Sequence, residues 1–86
     1  MSRHEKLLQK IIAQPTPKDV KWDELKVVLG HFGYRLLSGT GSRRKFMHPD
    51  TKDVIALHEP HPAPEVKAYV LRQVVEKLRE QGLIGG

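Results

Sequence analysis

The chain contains no cysteine. Disulfide bonds and thiolate metal sites are therefore excluded, and the composition is compatible with a reducing compartment. Long apolar runs are missing as well. No stretch approaches the ~20 residues that a membrane-spanning helix requires, and the N-terminal residues lack the apolar segment of a secretion signal. We therefore expect a cytoplasmic protein without a membrane partner.

Acidic residues are also in short supply. The chain has 10 Asp and Glu residues against 15 Lys and Arg residues, which gives a net charge of +5, and its isoelectric point is near 9.8. Such an excess favours an anionic partner, either nucleic acid or an acidic protein, and less strongly a membrane surface. With 86 residues in total, we expect one domain over residues 1–86 with a small core.

Several catalytic signatures are absent from the sequence. It has no P-loop, no Ser–His–Asp order, no pair of carboxylates suited to acid–base catalysis and no heptad repeat. His48, His58 and His61 are close enough in sequence to suggest a zinc site. However, this His-x-x-His pair sits in the proline-rich connector around residues 59–64, which has no fixed geometry, and no carboxylate spacing supports the site. We expect neither a metal nor a small-molecule cofactor.

One stretch combines glycines, hydroxyl side chains and cations. It covers residues 38–49 and reads Ser-Gly-Thr-Gly-Ser-Arg-Arg-Lys-Phe-Met-His-Pro. Glycine lets main-chain N–H groups approach a ligand closely, and neighbouring cations favour phosphate. Phosphate contacts supply most of the affinity for nucleic acid, whatever its sequence. A hairpin turn followed by a strand with a solvated charged face is the alternative. The predicted nucleic-acid-binding residues are Gly41, Ser42, Arg43, Arg44 and Lys45.

The first apolar pattern predicts an accessory helix over residues 2–14. Ser2 and Glu5 are spaced as a capping box, and apolar residues follow at helical spacing. Pro15 ends the pattern. Because this helix carries only one apolar stripe, we expect it to pack on the main domain, residues 18–84, or on a partner.

Two further apolar stripes predict the helices of the main domain. One helix begins near Trp22, which we interpret as a core anchor, and ends at Gly33, a residue suited to the left-handed conformation that follows many helices. The other begins at Pro64, because proline is favourable at a first helical position, and ends at Gly82. The stripes comprise Leu25, Val28, Leu29 and Phe32 in the first helix, and Val66, Val70, Leu71, Val74, Val75 and Leu78 in the second.

Three short strands are predicted between these helices, over residues 34–37, 45–48 and 54–58. Their tight connections imply an antiparallel meander, in which alternation places Arg44 and Phe46 on one face. The expected fold class is α+β: a three-stranded antiparallel sheet with helices on one face, plus an extra N-terminal helix. The αβββα core has the topology of double-stranded-RNA-binding domains.

Several short motifs follow one another over residues 22–84. In order they are Gly33-Tyr34, Gly41-Ser42, Lys45-Phe46-Met47-His48-Pro49, His61-Pro62, Glu65-Val66-Lys67 and the helical Leu71-Arg72-Gln73-Val74-Val75. In this order and spacing the chain resembles the HicA family of type II toxin–antitoxin toxins, with the N-terminal helix suggesting a longer subfamily. The resemblance implies a metal-independent endoribonuclease that cleaves mRNA, inhibits translation and is neutralised by a HicB-like antitoxin.

The same resemblance implies a catalytic histidine one or two residues after the Gly-Ser pair, where this chain has Arg43 and Arg44. Arginine stays protonated and is not a general base, whereas histidine titrates near the working pH. We therefore predict that the catalytic residues are His48 and His58, at strand ends, with His61 as a third candidate. The alternatives are a non-catalytic RNA-binding domain and a protein-binding module on the same fold.

Overall fold

The fold is built from three helices and a three-stranded sheet. The computed structural model describes residues 3–38, 41 and 43–85. The strands follow one another in the order β1-β2-β3, and each neighbouring pair is antiparallel. The predicted α+β class, with an αβββα core and an additional N-terminal helix, is therefore confirmed. In chain order the elements are α1 (Arg3–Ile12), α2 (Trp22–His31), β1 (Arg35–Ser38), β2 (Arg43–Met47), β3 (Val54–His58) and α3 (Ala68–Glu80).

One face of the sheet joins a single apolar core. Phe46 is the central inward residue of the sheet, since the register places Leu36 and Ile55 directly beside it. Trp22 is buried and its ring centroid lies 5.7 Å from that of Phe46, so its interpretation as a core anchor is confirmed. The helices contribute the buried side chains Leu25, Val28, Leu29, Val70, Leu71, Val74, Val75 and Leu78, as their apolar spacing predicts.

The N-terminal helix packs on the rest of the domain. Leu7 and Ile11 are buried in the common core, and α1 contacts both α2 and α3. The ring of His4 stacks on that of His31, with centroids 3.7 Å apart. The helix ends at Ile12, two residues earlier than predicted. Ser2 of the predicted capping box lies outside the described residues.

Both glycines predicted to end helices do so. Gly33 has a φ of 94° and Gly82 a φ of 71°, the left-handed conformation that a side chain disfavours. After α2, the Gly33 N–H donates to the carbonyl of Gly30, and the next N–H donates to that of Leu29. The same pair of hydrogen bonds follows α3. This arrangement satisfies carbonyl groups that the helix leaves without partners.

The predicted start of the last helix at Pro64 is wrong. The carbonyl of Pro64 accepts a 2.9 Å hydrogen bond from the Trp22 N–H, and the Val66 N–H donates to the Val20 carbonyl at 2.7 Å. Lys21 and Glu65 form an antiparallel bridge between these contacts. Residues 64–66 are thus held extended by the segment before α2, and α3 begins only at residue 68.

Candidate functional site

The cationic segment, Arg43 to Lys45, lies at the start of β2. Gly41 precedes the strand with a φ of 58°, and Ser42, a predicted binding residue, lies outside the described residues. Arg43 and Lys45 are exposed. Both side chains project from the face opposite buried Phe46, because successive strand residues alternate between faces. These two cations are therefore available to a ligand in solution.

Arg44 is engaged within the protein. Its side chain shares the inner face with Phe46, as predicted, and its Nε lies 3.3 Å from Oε1 of Glu59. Its Nη1 donates to the carbonyls of Gly41 and Arg43, each at 2.7 Å. Arg44 thus connects the residues before and at the start of β2 to the segment after β3. Its contact with nucleic acid stays a prediction.

The open face of the sheet is cationic. Antiparallel partners project on the same side, so the register defines which side chains share this face. Arginine and lysine residues are interleaved there with apolar side chains, and none of the strand residues on this face is acidic. The face comprises Arg35, Leu37, Arg43, Lys45, Met47, Val54, Ala56 and His58.

His58 lies beside the start of the cationic segment. It is the antiparallel partner of Arg43, so their Cα atoms are about 5 Å apart. His58 therefore neighbours the start of the second strand. Its side chain is exposed and projects on the same face as Arg43. This is the only one of the two predicted catalytic histidines that reaches the cationic segment.

His48 lies at the other end of the sheet. It follows β2, whereas His58 pairs with the first residue of that strand, which separates them by about 17 Å along the strand. Its Nδ1 accepts hydrogen bonds from the N–H groups of Asp50 and Thr51, at 3.2 and 3.3 Å. The ring also packs edge-on against Tyr34, with centroids 5.4 Å apart. The structure does not bring the two predicted catalytic histidines into one site, and His48 supports a turn.

His61, a residue of the connector, lies close to the cationic segment. A shallow depression of about 240 Å³ is lined by His61, Pro60 and Glu59 together with Arg44 and Gly41. An imidazole, a carboxylate-bound arginine and an exposed backbone turn therefore converge beside the start of β2.

A larger groove, which shares Glu59, Pro60 and His61 with this depression, contains a residue that the sequence analysis did not single out. This groove of about 400 Å³ is lined by His58 and His61, and also by Tyr69 in the first turn of α3. Tyr69 falls outside the apolar stripe of its helix. The sequence did contain a signal for Tyr69, since an aromatic residue on the polar side of an amphipathic helix is a candidate for ligand contact.

A partly buried carboxylate, that of Asp53, holds together the end of the sheet where His48 lies. The Tyr34 hydroxyl donates to Asp53 at 2.7 Å, and the Lys77 ammonium donates to it at 2.9 Å. Burial by itself would raise the pKa of Asp53, but these hydrogen bonds and the nearby Lys77 charge outweigh it and lower the pKa. Burial, with the contact to Asp53, raises the pKa of Tyr34.

These directions predict how stability depends on pH. The folded pKa of Asp53 is below its unfolded value, so its contribution is present above about pH 4 and is lost on further acidification. The folded pKa of Tyr34 is above its unfolded value, so its contribution is present below about pH 10 and is lost as the pH rises further. We expect Asp53→Asn to lower the free energy of unfolding at neutral pH by about 1–3 kcal/mol.

Urea unfolding at a series of pH values tests this prediction. The wild type should lose more stability between about pH 5 and pH 2 than Asp53→Asn does, because the variant has no carboxylate to protonate. If the two proteins lost equal amounts of stability over this acidic range, the assigned role of Asp53 would be contradicted.

The described residues contain neither a group of side chains suited to bind a metal ion nor a helix suited to cross a membrane. Within residues 3–38, 41 and 43–85, no group of three His, Cys, Asp or Glu side chains is arranged to hold a metal ion. None of the helices in that part of the chain has the length and apolar character needed to cross a bilayer.

Fold and site together define a small basic α+β domain of double-stranded-RNA-binding-domain type, with a cationic turn and strand. The family model described as HicA toxin of bacterial toxin–antitoxin matches residues 22–83. The chain therefore belongs to the HicA family of toxins of bacterial toxin–antitoxin systems. No curated protein and no solved structure gives a significant match.

Proposed function

We propose that this HicA-family toxin is a metal-independent endoribonuclease that cleaves mRNA and thereby inhibits translation. The observation that carries the proposal is the pairing of His58 with Arg43. The family resemblance implies a catalytic histidine at position 43 or 44, and the antiparallel register supplies an imidazole from the adjacent strand. A general base is thus available although the chain has arginine at both positions.

The proposed reaction is an intramolecular transfer of the phosphoryl group, from the 5′-oxygen of one nucleotide to the 2′-oxygen of the nucleotide before it. The 2′-hydroxyl attacks the adjacent phosphorus, while His58 takes the hydroxyl proton. The bond from phosphorus to the 5′-oxygen breaks, and that oxygen requires a proton. His61, beside Arg44 in the shallow depression, is the candidate acid. Arg43 and Lys45 stabilise the negative charge that develops on the phosphate. The products are a 2′,3′-cyclic phosphate and a free 5′-hydroxyl.

A HicB-like antitoxin is the proposed protein partner. The open sheet face has no carboxylate among its strand residues, so an acidic surface on the antitoxin would complement it. The edge strand β1 offers a second means of contact. Leu36 and Leu37 are large hydrophobic residues and are exposed there, and an edge strand pairs readily with a strand from another chain. Either contact would deny RNA access to the cationic segment.

One observation favours a second function, non-catalytic RNA binding. Arg43 and Arg44 occupy the positions at which the resemblance implies a catalytic histidine, and Arg44 is committed to Glu59 and two carbonyls. A protein of this kind would bind RNA through the same cationic face and leave it intact. A protein-binding module, the third alternative, would show no RNA affinity above that of an ordinary basic protein.

Incubation of the purified protein with end-labelled RNA in excess EDTA tests the enzyme proposal. We expect cleavage that leaves 2′,3′-cyclic phosphate ends. The matched control is the same oligonucleotide with 2′-O-methyl groups, which should stay intact because the nucleophile is blocked. Intact RNA at protein concentrations that retard it on a gel would overturn the enzyme and leave the RNA-binding protein. Cleavage of the methylated control would indicate a contaminating nuclease or another mechanism.

A further inference from the structure

The groove between the connector and α3 is lined by an aromatic side chain, that of Tyr69, which is not part of the buried core. Tyr69 is 58% exposed. In the part of the chain that the structure describes, the other exposed large hydrophobic residues, Leu36, Leu37 and Val54, are aliphatic and lie on the sheet. Tyr69 instead lines a groove of about 400 Å³. Exposure of a ring next to a concave surface is the arrangement that a stacking ligand requires.

The groove is lined by both apolar and charged residues. Pro60, Pro62 and Val70 contribute apolar surface, and the exposed Glu65 and Lys67 contribute charged groups of opposite sign. A flat ligand with hydrogen-bonding edges matches this combination. A nucleobase has both properties, since its faces stack on aromatic rings and its edges accept and donate hydrogen bonds.

The groove is continuous with the cationic segment. Glu59, Pro60 and His61 line both this groove and the shallow depression beside Arg44. His58, which lines the groove, is the antiparallel partner of Arg43. A polynucleotide whose phosphate contacts Arg43 therefore has its base within reach of the groove.

We infer that this groove is a base-binding subsite, in which Tyr69 stacks on one unpaired nucleobase of the RNA. The inference rests on the proposed function, because it presupposes that RNA lies on the cationic segment. It also specifies the substrate class. A base in a duplex is stacked and paired and does not enter such a groove, so the RNA must be single-stranded or have a base turned outward.

Fluorescence anisotropy with two oligonucleotides of equal length tests the inference. One is a single-stranded 2′-O-methyl RNA of mixed sequence, which resists cleavage, and the other is an abasic analogue with the same backbone and charge. Tyr69→Ala should weaken binding of the first about tenfold and leave binding of the second unchanged. Tyr69→Phe keeps the ring and should bind both as the wild type does. Because Tyr69 is largely exposed, both variants should retain the wild-type circular dichroism spectrum.

The outcomes separate this inference from the proposed function. Wild-type affinity for the RNA in Tyr69→Ala would overturn the base subsite, while leaving RNA binding by the cationic segment in place. An equal loss for both oligonucleotides would also overturn it, since a base subsite does not affect an abasic chain. Absence of wild-type binding to either oligonucleotide would overturn the proposed function together with the subsite.

Discussion

Cleavage of RNA should fall by about two to four orders of magnitude when His58 is replaced by alanine. The reason is that His58 is the proposed general base, and its neighbours at the start of β2 are arginines, which do not accept a proton at cellular pH. Binding should change little, because Arg43 and Lys45 remain. The measurement is a single-turnover cleavage rate at saturating protein, with binding of 2′-O-methyl RNA measured in parallel.

Two other histidines make this experiment specific. His31→Ala removes an exposed imidazole at the end of α2, which belongs neither to the sheet nor to the lining of the two depressions beside the connector, and should cleave at the wild-type rate. His48→Ala removes the acceptor for the N–H groups of Asp50 and Thr51, so its expected effect is on thermal stability. Loss of cleavage in a folded His48→Ala protein, with activity retained in His58→Ala, would reverse the assignment.

Reversing the two exposed cations of β2 should reduce RNA affinity by at least about a hundredfold at low salt. The variant carries Arg43→Glu and Lys45→Glu, which replaces two phosphate-binding charges with two repulsive ones. The slope of log affinity against log salt concentration should become less negative by about 1.4, because about 0.7 is expected for each phosphate contact on a single strand. Binding titrations at several salt concentrations measure both quantities.

A charge-matched control is available elsewhere on the chain. Lys6 and Lys18 are exposed, and neither belongs to the sheet, so Lys6→Glu with Lys18→Glu changes the net charge by the same amount. This control should lose affinity only slightly and keep the wild-type salt slope. Equal losses in the two double variants would show that overall charge, not the cationic segment, governs binding.

Local patterns were sufficient to predict most of the fold. The strand over residues 54–58 was predicted with its observed bounds, because a turn over residues 49–53 precedes it and a proline-rich connector follows it. The helix ends at Gly33 and Gly82 were also predicted, since they depend on a glycine at one position. Periodicity and turn chemistry act over a few residues, so the sequence reveals them directly.

Features that depend on residues distant in sequence were not predicted. The false helix start at Pro64 followed a sound local preference, but pairing with residues 20–22 prevails there. The ion pair between Arg44 and Glu59 was not predicted, because the two residues are distant from each other along the chain. The separation of His48 from the site follows from strand register. Each of these outcomes depends on tertiary contacts, which cannot be seen in a short stretch of sequence.

The bridge between Lys21 and Glu65 has a consequence for the thermodynamics of recognition. Main-chain hydrogen bonds at Trp22 and Val66 fix the C-terminal end of the proline-rich connector before any ligand arrives, and proline has little backbone freedom to lose. Ordering a flexible binding loop would otherwise oppose association with a free-energy cost at every residue. The connector is therefore preorganised. A ligand that binds against it loses little affinity to the entropy cost of ordering the connector.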